Sequence, residues 1–569
     1  MSATTAERHV SLYTILVGGS EIDADLSRRV REVRIQNYLR LPDTCTLAAS
    51  FPKGESGQGE PIDQSPFEIG GSLEVRLGAR EDLTTSTVFK GEIVTLEPRW
   101  GAGGVELLVR AYDHSHVLMR SRNVRTFQNQ TSSDIVSKVL TEAGFQSQCD
   151  PSGEPHDFIQ QDNETDWELI WRLADRSGLE LVIDGQMASL RKPSSEGATE
   201  LQWPATLRSF SPRVTAVQQV DEVTLRAQDP KTKQAIDVSA STPQQVAQIG
   251  VARTTVAGAF DSAKTHIATE PVKSQAEGTS VAQAKLDRLA NAYVAIEAST
   301  SGNPKIRAGG SVKISGVGEQ FSGTYPVTQT VHIFRGGSTY ETSFSNLPIN
   351  TLLAATGSGR GAGQPSFGSQ LVLGVVTNNQ DPENMGRVRV QYPALAADAE
   401  GTWARIATLS AGKERGTLML PVVGEEVLVG FEHDDTTRPY VLGSLFNGQD
   451  MPGDDLLHSQ DGSFVVLSDK QILAASKEDF SLTSGGKLLI EIADNVEEKY
   501  KQDWTNETTG KASLKATQPF EIDGQNVTIT GQAQIQIEGS AMVTLKCGGT
   551  QIQLSSAGVQ ISGPMITLG

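Results

Sequence analysis

The sequence has few cysteines, few aromatic residues and no long apolar run. Its three cysteines, Cys45, Cys149 and Cys547, lie far apart without a CxxC pair, which argues against a disulfide scaffold or a zinc module. No stretch approaches the roughly 18 to 20 apolar residues of a membrane span, and the N-terminus lacks the basic-then-apolar order of a signal peptide. We therefore expect a soluble chain, made and assembled in the cytoplasm, that leaves the cell only if something else carries it.

Positive charge is also scarce. The 49 Lys and Arg residues against 68 Asp and Glu residues give a net charge of −19, which argues against nucleic acid as the main partner. Aromatic residues make up 6% of the chain, which contains 55 glycines and 24 prolines, a composition that favours many short strands joined by turns. At 569 residues the chain is too long for one core, so we expect three or four domains.

The first part of the chain, residues 1–354, is predicted to be a β-barrel hub with helical inserts. Period-two alternation indicates strands, and two helices interrupt them. One helix begins after Thr131, and the other begins at Thr165, where Glu168 completes a capping box. A third and longer amphipathic helix is predicted from Ser280 to Ala298.

Two further segments follow the hub. Residues 355–369 are rich in glycine and serine and are predicted to be a linker. Residues 370–450 contain five short strand patterns, which are typical of an OB-fold barrel. Because this segment lacks a cationic, aromatic-lined face, we interpret the barrel as a scaffold rather than an oligonucleotide-binding domain.

The last segment, residues 455–569, contains the most regular pattern of the sequence. From Val527 to Cys547 every odd position is apolar or small, and every even position except Met542 is polar. A period of eight is superimposed on this alternation: Ile535 and Val543 follow Val527 at that interval, and glycines recur at the same interval. A short repeat of one strand and one corner is typical of a β-helix or solenoid.

An octad is too short to close around its own apolar side chains, each worth roughly 1.5 to 3 kcal/mol when buried. We therefore predict an intertwined trimeric β-helix, in which three chains each supply one face of a prism and no strand edge stays free. An antiparallel meander is the alternative, but the corners lack the Asn-Gly or Asp-Gly pairs that tight hairpins favour. The predicted trimer core consists of Val527, Ile529, Ile535, Ile537, Val543, Leu545, Ile552, Leu554, Val559 and Ile561.

Three polar clusters could suggest chemistry. Asp113 to His116 has no second ligand group at metal spacing, His433 to Asp435 lies between two barrel strands, and Asp162 to Asp166 lacks the spacing of a calcium loop. A strand end, a charged loop and a helix cap account for them. We predict no catalytic residue, no metal and no cofactor, so the protein is not expected to be an enzyme.

The order of hub, barrel and repeat resembles the VgrG-like central spike proteins of contractile injection systems, which are related to phage hub and spike proteins. Several segments look like signatures of that family. They are Gln160–Ala174, Leu207–Val214, Arg226–Lys233, Arg307–Gly316 with Phe321–Tyr325, and Gly374–Val390.

The resemblance implies a homotrimer that connects baseplate and inner tube proteins to a PAAR-type tip. On sheath contraction it would puncture the target envelope, touching the membrane only mechanically, and it would carry possible effector cargo. The implied tip-binding residues are Met565, Ile566, Thr567, Leu568 and Gly569.

The implied setting is an extracellular phage-like particle, because no lysozyme domain fits between barrel and repeat and no toxin domain follows the repeat. A type VI secretion VgrG spike is the first alternative. A tail-spike that binds or degrades glycans is a second, but the strict octads carry only Glu538 as an acid. A receptor-binding fibre is disfavoured because no globular domain follows the repeat.

Overall fold

The protein is described by a computed structural model and is mainly β, as the sequence predicts. Its residues fall into two compact units, one up to residue 456 and one from residue 457. The structure describes residues 12–53, 61–78, 85–217, 219–229, 232–244, 247–336, 339–347, 367–395, 400–413, 415–451, 464–467, 472–476 and 478–567.

The first unit opens with strands whose side chains alternate between core and surface. They are β1 (Leu12–Val17), β2 (Ser20–Glu21), β3 (Val30–Tyr38), β4 (Thr44–Phe51), β5 (Ser72–Gly78), β6 (Ser86–Gly101) and β7 (Gly104–Asp113). A short helix, α1 (Ala24–Arg29), connects β2 to β3. Val33, Ile35 and Leu47 lie in the core of these strands with no exposed surface.

A small α/β insert follows and confirms both predicted helix starts. Its elements are β8 (Arg122–Gln130), α2 (Ser132–Glu142), β9 (Gln146–Cys149), β10 (His156–Thr165), α3 (Asp166–Ser177), β11 (Glu180–Asp184) and β12 (Met187–Arg191). Thr131 and Thr165 form complete capping boxes, so side chains satisfy backbone N–H groups that the first turns leave free. Gly178 ends α3 in the left-handed conformation, with φ 67°.

The rest of the hub returns to strands. Its elements are β13 (Thr199–Gln202), β14 (Leu207–Val214), β15 (Glu222–Gln228), β16 (Ala235–Ala240), β17 (Gln248–Ile249), α4 (Arg253–Ala257), β18 (Lys264–Ile267), α5 (Gln275–Asn291), β19 (Val294–Ser301), β20 (Ser311–Ser315), β21 (Gly323–Pro326), β22 (Gln329–Arg335) and β23 (Thr339–Ser345). The predicted helix from Ser280 to Ala298 is wrong at both ends. Ser274 caps α5 earlier, and from Val294 the burial alternates with period two, which makes β19 a strand.

An eleven-stranded sheet joins the beginning and the end of the hub. Its order is β14-β19-β23-β22-β3-β4-β7-β6-β5-β1-β2. The pairing of β22 with β3 connects strands about 300 residues apart in sequence, for example His332 with Ile35. The pairing therefore joins the two ends of the hub sequence in one open sheet.

The predicted five-stranded barrel is confirmed. The strands of this part are β24 (Val372–Asn378), β25 (Val388–Gln391), β26 (Glu400–Ile406), β27 (Ala411–Gly412), β28 (Arg415–Gly416), β29 (Glu426–Phe431) and β30 (Pro439–Ser444). The closed barrel has the order β24-β25-β26-β30-β29, while β27 and β28 form a separate hairpin. Of the predicted linker, Phe367–Ser369 form a 3-10 helix and the rest lies outside the described residues.

The second unit contains two small sheets separated by a long stretch without strand pairing. Its strands are β31 (Phe464–Leu467), β32 (Ile472–Ala475), β33 (Met542–Cys547), β34 (Thr550–Ser555) and β35 (Gly558–Ser562). The last three strands form an antiparallel meander rather than the β-helix strands expected there. Gly548 and Gly549 explain the difference, because they close a two-residue hairpin between Cys547 and Thr550.

Candidate functional site: the octad segment and its apolar face

The segment from residue 478 to 541 bends at regular intervals. Two-residue bends begin at 485, 493, 501, 509, 517, 525, 532 and 540, so successive bends are eight residues apart except between 525 and 532. The octad seen in the sequence is therefore a repeating backbone geometry. The bends begin about forty residues before Val527, within the 455–569 segment predicted to be the octad-repeat spike but ahead of the strict alternation.

Two glycine corners of the repeat have the same local packing. A Cβ atom added to Gly531 would lie 2.8 Å from the carbonyl oxygen of Gln534 and 2.8 Å from Cγ1 of Ile535. One added to Gly539 would lie 2.6 Å from the carbonyl oxygen of Met542 and 3.0 Å from a methyl group of Val543. Glycine recurs at these corners because the chain folds back onto them.

Among the described residues, no other part of the chain pairs with the backbone of this segment. All residues from 478 to 541, every one of which the structure describes, are exposed. Over that same range, no strand ladder and no backbone hydrogen bond connects one octad to another. Extended backbone that exposes both its polar groups and a row of apolar side chains is a surface prepared for pairing with other chains.

The meander continues the apolar row. In its cross-strand register Val543 faces Leu554 and Leu545 faces Ile552, so these side chains share one face of the sheet. Ile561 and Val559, paired with Ile552 and Leu554, extend that face onto β35. Leu545 and Val559 are still 55% and 65% exposed, so the described residues of the unit leave the face uncovered.

The structure thus places nine of the ten predicted trimer-core residues on exposed surface of the single chain, with Val543 half-buried, and brings six of the ten together on the meander. Of the predicted tip residues, Met565 is 83% exposed and Ile566 and Thr567 are exposed too. Leu568 and Gly569 lie outside the described residues.

The sequence predictions assigned the earlier octads to the spike but found the strict period only from Val527. Val496, Trp504, Ala512 and Phe520 follow Leu488 at intervals of eight, in step with the bends. A search for the eight-residue interval alone would have found them, since the charges between Glu497 and Trp504 hide the alternation but not the period. Tyr500 stacks on Trp504 with ring centroids 6.0 Å apart.

The polar clusters have structural roles. Among the described residues, no group of three or more His, Cys, Asp or Glu side chains could hold a metal ion. Asp166 pairs with Arg125, and Arg172 binds Glu164 at 2.5 Å, which ties β10 to the neighbouring helix. His433 has φ 51° within the 3-10 helix Glu432–Asp434.

Asp113 has a buried partner that the sequence did not reveal. Its carboxylate accepts hydrogen bonds from the hydroxyl of Ser115 at 2.6 Å and from the backbone N–H of Asp43. Asp43 in turn accepts from the side-chain amide of Asn37 at 2.6 Å. Desolvation raises the pKa of Asp43 to about 6. Desolvation also raises the pKa of Asp113 well above its usual value, and the nearby charge of Asp43 raises it further.

Residues 7–335 match the family described as the Alg8 N-terminal domain, and this match covers more than half of the chain. The chain belongs to this family. Residues 372–446 match a second family, the type VI secretion system/phage-baseplate injector OB domain, and coincide with the closed barrel. Over the described ranges, no helix is both long and apolar enough to span a bilayer.

Curated relatives of this member of the Alg8 N-terminal domain family carry VgrG names. It is 23% identical over 508 residues to the actin cross-linking toxin VgrG1 of Vibrio cholerae, covering 78% of this chain and 45% of that protein. It is also 23% identical to the type VI secretion system spike protein VgrG1a of Pseudomonas aeruginosa, covering 58% and 55%. The chain thus spans about half the length of these relatives, and the predicted VgrG-like character is confirmed.

Two solved structures align with most of the chain at low sequence identity. The Escherichia coli c3393 protein, a component of the type VI secretion system, aligns with a TM-score of 0.46 and 14% identity, covering 73% of this chain and 96% of that one. A chain of the Francisella PdpA–VgrG complex aligns with a TM-score of 0.48 and 9% identity, covering 82% and 88%.

Proposed function

We propose that the protein is the homotrimeric hub and spike of a contractile injection system, within an extracellular phage-like particle. The hub and barrel would contact inner tube and baseplate proteins, and the octad segments of three copies would wind into the spike. Sheath contraction would then drive this rod mechanically through an envelope.

The observation that carries the proposal is the unpaired, exposed backbone of residues 478–541. A chain that folded alone would leave its apolar column in water and its strand groups without partners, and both are costly. Pairing with identical segments satisfies the strand groups and covers the column in one step.

The number three follows from the length of the unit. Each octad supplies about one strand, enough for one wall of a closed prism, and three walls are the smallest number that encloses an interior. The meander supports the same symmetry, because its apolar face with Val543 and Ile552 would meet two identical faces on the axis. Three copies would carry 3 × −19 = −57 charges, which would keep a rod with an apolar centre dispersed before assembly.

At the tip, Met565 and Ile566 expose apolar side chains just beyond the meander. We infer that a PAAR-type protein covers them. The proposed action is mechanical and not enzymatic, effectors would be cargo, and the trimer would form in the cytoplasm before it leaves the cell within the particle.

Co-purification with a PAAR-type tip protein tests this function. Native mass spectrometry of the full chain should detect three copies with one tip protein. A chain ending at Gly563 should still form trimers but lose the tip protein, whereas Glu538→Gln, an outward change, should bind it normally. Equal binding by the shortened chain would contradict the tip assignment.

A further inference from the structure

One interval of the repeat differs from all the others. Leu488, Val496, Trp504, Ala512 and Phe520 are eight residues apart, but Val527 follows Phe520 after seven, and the interval of eight then resumes at Ile535 and Val543. The backbone has the same irregularity, since the bends at 525 and 532 are seven residues apart. Sequence and backbone thus agree on a single seven-residue step.

The step changes which positions carry the apolar column. Before it the column lies on even-numbered residues such as Phe520 and Ile522, and after it on odd-numbered residues such as Val527 and Ile529. Because side chains alternate along a strand, a one-residue displacement moves every side chain to the opposite face. In a trimer, the apolar column of each partner chain must therefore switch from even to odd positions at the same level along the spike axis.

A uniform octad repeat would not fix the register of parallel chains, since a slip of eight residues would return apolar residues to apolar positions. With the step, a chain that slips by eight residues would, over one octad, point its polar side chains toward the axis where its partners point apolar ones. Thr528, Thr530 and Gln532 of one copy would face the axis there, while Val527 and Ile529 would face water. Burying these polar groups without partners is unfavourable.

We propose that the seven-residue step between Phe520 and Val527 sets the register of the three chains in the spike. This role deepens the proposed homotrimer and rests on it. It makes Gly524, Gln525 and Asn526, which lie within the step, specificity-determining positions for assembly. The step also places the three tips level, so that one tip protein can bind all three ends.

A second feature needs a control. Glu498 and Asn506 also interrupt the apolar column, as polar residues at core positions do when they specify the register of coiled coils. The hydroxyl of Tyr500 donates to the Glu498 carboxylate at 2.9 Å. The test therefore uses a background with E498L and N506L, in which only the step can set the register.

The experiment measures distances between spin labels in the full-length trimer. A label is placed at Gln536→Cys, an outward position, with Cys149→Ser and Cys547→Ser; Cys45 is buried with no exposed surface and stays unlabelled. The background should give one distance. Inserting one glycine between Gly524 and Gln525 restores an interval of eight, removes the step and should add longer label-to-label distances. Deleting Gln532 in addition to this insertion moves the step to the next corner and should return a single label-to-label distance.

The outcomes separate two questions. A monomeric background chain would contradict the proposed homotrimer itself. Trimers with several distances in the background, or with one distance after the insertion, would overturn the role of the step while leaving the trimer intact. If the insertion prevents trimer formation, the variant with the moved step decides: one distance in its trimers supports the proposal, and several distances or no trimer overturn it.

Discussion

The backbone N–H of Asp43 donates a hydrogen bond of 3.2 Å to the carboxylate of Asp113 inside the hub. The two carboxyl groups lie beside a cavity of about 200 Å³, where the ends of β3 and β7 meet the inserted β11 and β12. Both pKa values are raised, so the folded hub favours protonated carboxyl groups. This stabilisation is complete below the ordinary value of 3.8 and is lost as the pH rises through about 6.

Asp113→Asn should therefore stabilise the hub at pH 7.5. The amide oxygen can still accept from Ser115 and Asp43, and the buried charge is gone, so we expect a gain on the order of 1 to 3 kcal/mol that shrinks at pH 5. Urea unfolding at the two pH values measures it, with the exposed Asp63→Asn as control. An unchanged pH dependence in the Asp113 variant would contradict the assignment.

The barrel should depend on one buried ion pair. Asp381 accepts from the Arg387 guanidinium at 2.7 and 3.0 Å and from the backbone N–H groups of Glu383 and Met385. The side chains of Asp381 and Arg387 are only 4% and 10% exposed. These hydrogen bonds, led by that from Arg387, lower the pKa of Asp381, so its stabilisation is present above 3.8 and is lost as the pH falls.

Asp381→Asn should destabilise the barrel by about 1 to 3 kcal/mol at pH 7, because it leaves the buried Arg387 guanidinium with only the longer contact to Glu383. The deficit should shrink as the pH falls below about 4. Chemical denaturation checks the value against Glu383→Gln, which removes a longer and more exposed contact of 3.3 Å. Equal losses in the two variants would show that the buried pair has no special role.

Adding a side chain at a glycine corner should destabilise the spike at some corners and not at others. Gly539→Ala would place a Cβ atom 2.6 Å from a carbonyl oxygen, whereas Gly510→Ala meets no atom within 4 Å. We expect the first change to cost about 1 to 3 kcal/mol per chain and the second to stay within about 0.5 kcal/mol. Thermal melting of the trimer compares them, and similar melting temperatures would count against close packing at the corners.

The apolar face of the meander should tolerate no charge. Ile552→Lys would bury three ammonium groups in the trimer, at a cost of several kcal/mol each, and should prevent assembly of the tip. Gln560→Lys adds the same charge on the opposite face and should assemble normally. Tip-protein binding and the solution mass distinguish the two; a trimer of the Ile552 variant that still binds its tip would disprove burial of that face.

Local signals predicted much of this fold. Thr131 and Thr165 marked their helices correctly because capping boxes act within one turn. The helix predicted from Ser280 to Ala298 failed because its alanines suit both periods, and pairing with β14 and β23 makes the chain a strand from Val294 onward. Such long-range pairing is not visible in a local pattern.

The candidate site was also predicted only where a local pattern marks it. Alternation identified the apolar column from Val527 onward, but Gly548 and Gly549 redirect the chain into hairpins where the repeat was expected to continue. The Asp43–Asp113 contact joins residues 70 positions apart, and no local sequence pattern around either residue predicts it.

The solution mass of the full-length chain tests the central claim most directly. Native mass spectrometry should give three copies, 3 × 60.9 = 182.7 kDa, and a chain ending at Met451 should lose the assembly contributed by the octads and the meander. A full-length chain that stays at 60.9 kDa at micromolar concentration would contradict the account, because the exposed column of residues 478–541 would then be stable without a partner.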